Sequence, residues 1–172
     1  MIHFDLQKDI NLSDKLKAGD IVYLSGTIFT ARDCAHKRIY EDIINKGKPP
    51  FDLKNKTVYY AGPCPKKENV VIGSIGPTTA TRVDVYTPTL LDCGLKFMIG
   101  KGERNQNVVD SVIKNKAVYF AGIGGAGALY ASKITKAELF MYPDLLSEAV
   151  YNLTIKDFPV VVAIDQRGDS IY

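Results

Sequence analysis

The sequence lacks the residue patterns of metal-binding and disulfide-stabilised proteins. It has only two histidines, and its three cysteines, Cys34, Cys64 and Cys93, are far apart and form no C-x-x-C pair. An odd number of widely spaced cysteines disfavours both a disulfide framework and a self-contained zinc site. We therefore expect no metal ligand set within this chain.

The sequence also lacks long apolar runs and blocks of basic residues. No segment approaches the roughly 20 apolar residues of a membrane span, and the polar, partly acidic start differs from a secretion signal. The formal charge is only +3, and basic residues alternate with acidic ones, which disfavours a nucleic-acid surface. These features predict a cytoplasmic protein with a small anionic ligand or an acidic partner.

Segments typical of strands and helices alternate along the chain. With 172 residues, of which 46% are hydrophobic, this pattern predicts one α/β domain over residues 1–172 with its core in residues 20–165. In the first helix, Thr30 is the predicted N-cap, with Asp33 in the capping-box position and Gly47 at the end. The predicted strands are 20–30, 57–62, 95–102 and 159–164, and the predicted helices are 31–45, 87–94 and 105–115.

Two segments of the chain are nearly identical. Residues 54–62 read KNKTVYYAG and residues 114–122 read KNKAVYFAG. The favoured interpretation is two equivalent strands that each leave the core at an Ala-Gly turn, and an ancestral duplication is the alternative. In either case we expect both turns at one edge of the sheet, where ligands of open α/β sheets collect.

Gly122, Gly124 and Gly127 match the G-x-G-x-x-G pattern of dinucleotide-binding turns. That pattern normally follows the first strand of its fold, whereas here it lies in the last third of the chain, and Glu138 is not placed at a strand end. The favoured prediction is a close-packed strand-to-helix turn, whose helix start could hold an anion. A nucleotide-binding module remains a distant alternative.

Three polar segments follow predicted strands: SGTIFTARDCAHKR at 25–38, GPTTATRVD at 76–84 and MIGKGER at 98–104. They place three cations at strand ends and a threonine pair beside one of them. A hydroxyl one helical turn from a guanidinium, as for Thr78 and Arg82, would suit a carboxylate. The segments therefore favour a small substrate with more than one carboxylate, although composition alone favours a solvated charge at Arg32.

In this order and spacing, the three segments resemble the β subunit of the iron–sulfur hydro-lyases, namely the class I fumarate hydratases and the L(+)-tartrate dehydratases. The resemblance covers about residues 20–159, and in single-chain members this unit is the C-terminal domain. It implies a swivelling three-layer β/β/α domain with mixed sheets. It also implies reversible hydration of fumarate to (S)-malate or, as the alternative, dehydration of tartrate to oxaloacetate.

The resemblance further implies a partner. A separate α subunit would ligate the [4Fe-4S] cluster, this chain would contribute no metal ligand, and the two chains would form an α2β2 assembly that hydrates dicarboxylates. The β subunit alone would then be inactive.

By the same resemblance, Thr78 is the base that removes the C3 proton, and Arg32, Arg82 and Lys101 bind the substrate carboxylates. A free hydroxyl is a very weak base, so the cations would have to stabilise its alkoxide. Charges that stabilise the alkoxide would also stabilise the aci-carboxylate formed when the proton leaves.

Asp33, His36 and Thr79 belong to the same motifs. We expect Asp33 and His36 to orient Arg32 and cap the helix, and we expect Thr79 to support its neighbour Thr78. The sequence departs from the family pattern at Thr81 and Val83, where many members carry Gly and Met. This departure leaves the choice between fumarate and tartrate open.

Overall fold

The computed structural model describes residues 1–172, and its strands form one mixed seven-stranded sheet in the order β1-β2-β3-β4-β5-β7-β6. The additional pairing of β2 with β7 closes β2, β3, β4, β5 and β7 into a barrel. The strands are β1 (Ile2–Asp5), β2 (Ile21–Thr30), β3 (Thr57–Tyr59), β4 (Phe97–Gly100), β5 (Val118–Ala121), β6 (Ile134–Met141) and β7 (Val150–Ile164).

Strands β2, β3, β4 and β5 run parallel to one another, whereas β7 is antiparallel to both of its barrel neighbours. The carboxyl ends of the four parallel strands therefore lie at one edge of the barrel. This confirms the expectation that the two Ala-Gly turns share an edge, since β3 and β5 flank β4. Their registers differ, because Thr57 and Val118 both pair with Phe97.

Four α-helices accompany the sheet: α1 (Asp33–Lys46), α2 (Thr87–Asp92), α3 (Gln106–Asn115) and α4 (Gly127–Ser132). Three 3₁₀ helices add Ile10–Lys15, Ala80–Val83 and Pro143–Glu148. None of the helices combines the length and apolar character that crossing a membrane requires.

The ends of α1 confirm one expectation and correct another. Gly47 closes the helix in the left-handed region, with φ 72°, as predicted. The predicted cap at Thr30 is wrong, because Arg32 is the N-cap residue and no side chain caps the helix. Thr30 is buried instead: its hydroxyl donates to the carbonyl of Ala149 (3.3 Å) and accepts the amide of Tyr151 (2.9 Å), so it joins β2 to β7.

The core has two parts because both faces of the central strands are buried. Along β3, Tyr59 belongs to the cluster enclosed by the barrel, and the next residue, Tyr60, belongs to the cluster covered by α1, α2 and α3. This alternation follows from the two-residue period of a strand. The buried residues also extend below residue 20, to Phe4, Leu6 and Leu16.

The predicted α/β class with mixed strands is confirmed. Strands β1 and β6 and the first half of β7 were not predicted, and β6 is largely exposed, so it lacks a clear buried alternation. The three-layer swivelling arrangement and the single-domain division stay predictions.

Candidate active site

The four parallel strands deliver four functional segments to one edge. Arg32 follows β2, Gly62 follows β3, Lys101 follows β4 directly, and Gly122 follows β5. The segment that contains Thr78 crosses this same edge, because it pairs with Lys101 through an isolated parallel bridge at Thr79. The structure therefore brings together the segments that the sequence singled out.

Thr78 is held by one backbone carbonyl. Its amide and its hydroxyl both donate to the carbonyl of Tyr60, at 2.7 and 2.9 Å. The amide of Lys101 donates to the carbonyl of Thr78 (3.1 Å), and the amide of Ala80 donates to the carbonyl of Lys101 (2.9 Å). This short ladder makes Thr78 and Lys101 neighbours on adjacent backbones, with the threonine hydroxyl half-buried and the lysine exposed.

Arg82 lies in the 3₁₀ helix that follows and pairs with Asp33 at the start of α1, with 3.2 Å between Nε and Oδ2. Both side chains are about half exposed, so the pair contributes little stability and leaves the guanidinium accessible to a carboxylate. The idea that Thr78 and Arg82 share a helical face is wrong, because the helix begins at Ala80 and Thr79 before it is extended. Asp33 thus contacts Arg82 rather than Arg32.

Arg32 has a buried Nε with no hydrogen-bond partner, and a Cβ on Gly62 would lie 3.0 Å from its Cδ. Its backbone carbonyl accepts a hydrogen bond from His36 Nδ1 at 2.8 Å. Burial, with the nearby charge of Arg104, lowers the pKa of His36 to about 4. His36 is therefore neutral at pH 7 and holds the backbone of Arg32 rather than its guanidinium.

The glycine-rich turn at 122–127 packs against this site. A Cβ on Gly122 would lie 3.1 Å from Cγ of Pro77, and a Cβ on Gly124 would lie 3.8 Å from Cδ of Lys101. Gly127 permits a close approach of backbones, as predicted, because a Cβ there would lie 3.1 Å from the amide nitrogen of Gly76. The helix that begins at Gly127, α4, has only six residues.

The sequence profile of the family described as Fumarase C-terminus matches residues 2–172. The chain belongs to this family. The predicted resemblance is thereby confirmed, and the matched range includes every residue of the site.

Relatives from this family carry two kinds of name. A Methanocaldococcus jannaschii protein with the provisional name L(+)-tartrate dehydratase subunit beta is 40% identical over 96% of this chain and 87% of its own length. The aerobic class I fumarate hydratase of Escherichia coli is 37% identical over 87% of this chain. Fumarate hydratase 2 of Leishmania major is 36% identical over 90%. The chain spans only 28% of the length of each of these two fumarate hydratases.

Two buried residues near the site, Asp84 and Arg104, were not predicted from the sequence. Arg104 Nε donates to Asp84 Oδ1 at 2.6 Å, and both side chains are almost wholly buried. The only available signal was position, since Asp84 ends the GPTTATRVD segment and Arg104 ends MIGKGER. The sequence alone does not show which charged residues form buried ion pairs.

The three cysteines of this family member lie on separate elements. Cys34 is exposed on α1, where Glu148 accepts hydrogen bonds from its amide and thiol, while Cys64 is exposed after β3 and Cys93 is half-buried after α2. The structure contains no group of three His, Cys, Asp or Glu side chains placed to hold a metal ion. The residues present therefore do not fit an iron–sulfur cluster as its ligands.

Three cavities, of about 610, 380 and 320 Å3, lie around the loop at residues 63–74. Cys64 lines two of them. None of the three is lined by the cations or the threonine of the candidate site: Arg32, Thr78, Arg82 and Lys101. Of these four residues, Arg82 and Lys101 are exposed, whereas Arg32 and Thr78 are half-buried.

Proposed function

We propose that this chain is the β subunit of a heteromeric, iron–sulfur-dependent hydro-lyase that interconverts fumarate and (S)-malate. The observation that carries the proposal is the meeting of three cations and one hydroxyl at a single barrel edge. A dicarboxylate needs cationic groups at both ends, and a charge-assisted hydrogen bond to a carboxylate is stronger than a neutral one. The four residues are Arg32, Thr78, Arg82 and Lys101.

In this proposal the cations bind the carboxylates. The guanidinium of Arg82 exchanges its half-exposed partner Asp33 for a substrate carboxylate, which costs little because exposed pairs are weak. The unpartnered Nε of Arg32 is the second donor. Lys101, whose backbone neighbours that of Thr78, adds positive charge beside the reacting carbon.

Thr78 is the proposed base for the C3 proton. Its hydroxyl donates to the carbonyl of Tyr60, so it must lose or redirect that proton before it can accept one. The charges of Lys101 and Arg82 favour the alkoxide and also stabilise the negative charge that develops on the substrate carboxylate. In the hydration direction, Thr78 returns the proton to carbon.

We propose that an α subunit covers this site and holds the [4Fe-4S] cluster. Two observations support this: the side chains of Arg82 and Lys101 are exposed, and the tartrate dehydratase relative, which this chain covers over 87% of its length, is itself named a β subunit. The greater part of each matched fumarate hydratase also lies outside the region that this chain covers. An α2β2 assembly in the cytoplasm and a swivelling three-layer arrangement belong to the same proposal.

L(+)-tartrate dehydration to oxaloacetate is the second candidate, because the tartrate dehydratase relative matches 96% of this chain. Of the two departures from the family pattern, Val83 is buried in the core and Thr81 is exposed beside Arg82. Thr81 is therefore the residue that could affect substrate choice.

The test is reconstitution with the α subunit. We expect the purified chain alone to show no turnover and the reconstituted enzyme to hydrate fumarate faster than it dehydrates L(+)-tartrate. Arg82→Ala should lower kcat/KM about 10–100-fold, the loss of a charged hydrogen bond, whereas Lys136→Ala, at an exposed pair with Glu138 on β6, should not. Robust fumarate hydration by the chain alone would overturn the dependence on a partner, and faster tartrate turnover would favour the second candidate.

A further inference from the structure

A buried ion pair lies directly behind the candidate site. The side chain of Arg104 is 0% exposed and that of Asp84 is 4% exposed. Arg104 also donates to the hydroxyl of Thr87 at 2.8 Å. Taking two charges out of water is costly, so a buried pair is weak support for stability and is better explained by the geometry that it imposes.

Arg104 contacts strands β4 and β5 and the residue that follows β3. Its guanidinium carbon lies 5.2 Å from the ring centre of Tyr60, beyond β3, and 4.8 Å from that of Tyr119, in β5. A guanidinium nitrogen lies 3.7 Å from the sulfur of Met98 in β4. Cations within about 6 Å of an aromatic ring centre are attracted to its face, so the two tyrosine rings and the sulfur of Met98 hold the guanidinium of Arg104 in place.

Two of the residues that Arg104 contacts, Tyr60 and Tyr119, also hold segments of the site. The carbonyl of Tyr60 fixes both the amide and the hydroxyl of Thr78. The hydroxyl of Tyr119 donates to the carbonyl of Gly102, next to Lys101, at 2.8 Å.

The ion pair also joins the two cationic segments. Asp84 lies two residues after Arg82, and its second oxygen accepts the amide of Asn105 at 2.8 Å. Arg104 lies three residues after Lys101. The pair therefore fixes the segment of Arg82 to the segment of Lys101 through bonds from both residues.

We propose that Arg104 is a positioning residue, which acts through Asp84, Tyr60 and Tyr119 to set the spacing between Arg82 and Lys101 around Thr78. This spacing determines the length of dicarboxylate that the cations can hold over the hydroxyl. The catalytic part of this inference rests on the proposed hydro-lyase function, while the structural part does not.

The experiment uses the enzyme reconstituted with its α subunit. Arg104→Lys keeps the charge but loses the planar fork that contacts Asp84 and Thr87. The double variant Arg104→Met with Asp84→Asn removes both charges, so no unpaired charge stays buried. Arg167→Lys is the matched control, since it changes an arginine that pairs with the buried Asp165 at 2.7 Å.

We expect Arg104→Lys and the double variant to lower kcat about 10–100-fold at a temperature where circular dichroism shows both fully folded. The control should keep its kcat. By hydrogen exchange, the amides of Thr78, Ala80 and Lys101 should exchange at least about tenfold faster in both Arg104 variants and at the wild-type rate in the control.

Wild-type kcat and exchange rates in the folded double variant would overturn the proposal. A loss of activity that only matches the unfolded fraction would also overturn it, because the role would then be purely structural. If the reconstituted wild type lacks hydro-lyase activity, the proposed function fails, and the exchange rates alone decide whether Arg104 positions the segments.

Discussion

Strands β3 and β5 have nearly the same sequence, yet they present it to opposite faces of the barrel wall. Val58 and Tyr119 both pair with Met98 of β4, so the two repeats are offset by one residue. A shift of one residue moves every side chain of a strand to the other face. The repeated sequence therefore predicts that two strands end at one edge of the sheet, but it does not predict which face of the sheet each side chain occupies.

Because of this offset, the equivalent residues Tyr59 and Tyr119 make hydrogen bonds on opposite faces of the sheet. Tyr59 lies inside the barrel and donates to the carbonyl of Ile75 at 2.8 Å, just before the segment of Thr78. Tyr119 lies on the helix side and donates to the carbonyl of Gly102, just after Lys101. The two halves of the candidate site are thus held from opposite faces by matching positions of one repeat.

The largest expected difference between the two repeats concerns their closing glycines. A Cβ on Gly62 would collide with the backbone carbonyl of Ser147, whereas a Cβ on Gly122 would come within 3.1 Å of the ring of Pro77. We expect Gly62→Ala to lower the free energy of unfolding by about 3 kcal/mol and Gly122→Ala by about 1 kcal/mol. Urea titration measures both.

Gly124→Ala is the control for this pair, because its nearest neighbour would be 3.8 Å away, and we expect a change within about 0.5 kcal/mol. Equal losses for the first two variants would contradict the different surroundings of the two turns.

Tyr60, in the first repeat, packs edge-on against the buried His36, with ring centres 5.2 Å apart. The second expected difference is therefore the response of stability to pH. Burial lowers the pKa of His36 to about 4 in the folded state, below the value of about 6.5 for an unfolded chain. The unfolded state then binds more protons between pH 4 and 6.5, so stability falls as the pH decreases through this window. The expected loss is about 2 kcal/mol between pH 6.5 and 4.5.

His36→Gln should remove most of that pH dependence, while His3→Gln, at the other and exposed histidine, should leave it unchanged. Unfolding curves at the two pH values measure it. An unchanged slope in His36→Gln would show that another group carries the effect.

A smaller effect is expected from the two tyrosine hydroxyls. Tyr59→Phe and Tyr119→Phe each leave one carbonyl without its partner, so we expect each to cost about 1–1.5 kcal/mol. Since β4 separates the two residues and they share no partner, the double variant should show the sum within about 0.5 kcal/mol. A clear departure from additivity would indicate that the two faces are coupled.

The smallest effect concerns the residues that precede the two strands. Asn55 and Lys116 both have left-handed backbones, with φ of 60° and 50°, again one position apart in the repeat. Lys116 is also the C-cap of α3. Because asparagine tolerates this region better than lysine, Lys116→Gly should stabilise the protein by about 0.5–1 kcal/mol and Asn55→Gly by less. Thermal unfolding of the two variants distinguishes these outcomes.

The sequence was most informative where function depends on strand ends. The position of Arg32, Lys101 and the Thr78 segment at one edge followed from the order of strands and turns. The partners of Asp33 and Thr30 could not be predicted from the sequence, because both residues make tertiary contacts with residues far away in the chain. The closure of the barrel through β7 was not predicted either, because antiparallel pairing between distant strands leaves no local pattern in the sequence.

The role of Thr78 is the central claim, and turnover of the reconstituted enzyme tests it most directly. Thr78→Ala should lower kcat about 100–10,000-fold, the usual contribution of a general base, with little change in KM. Thr135→Ala, an exposed threonine on β6, should behave as wild type. A Thr78→Ala enzyme that turns over fumarate at the wild-type rate would contradict the account.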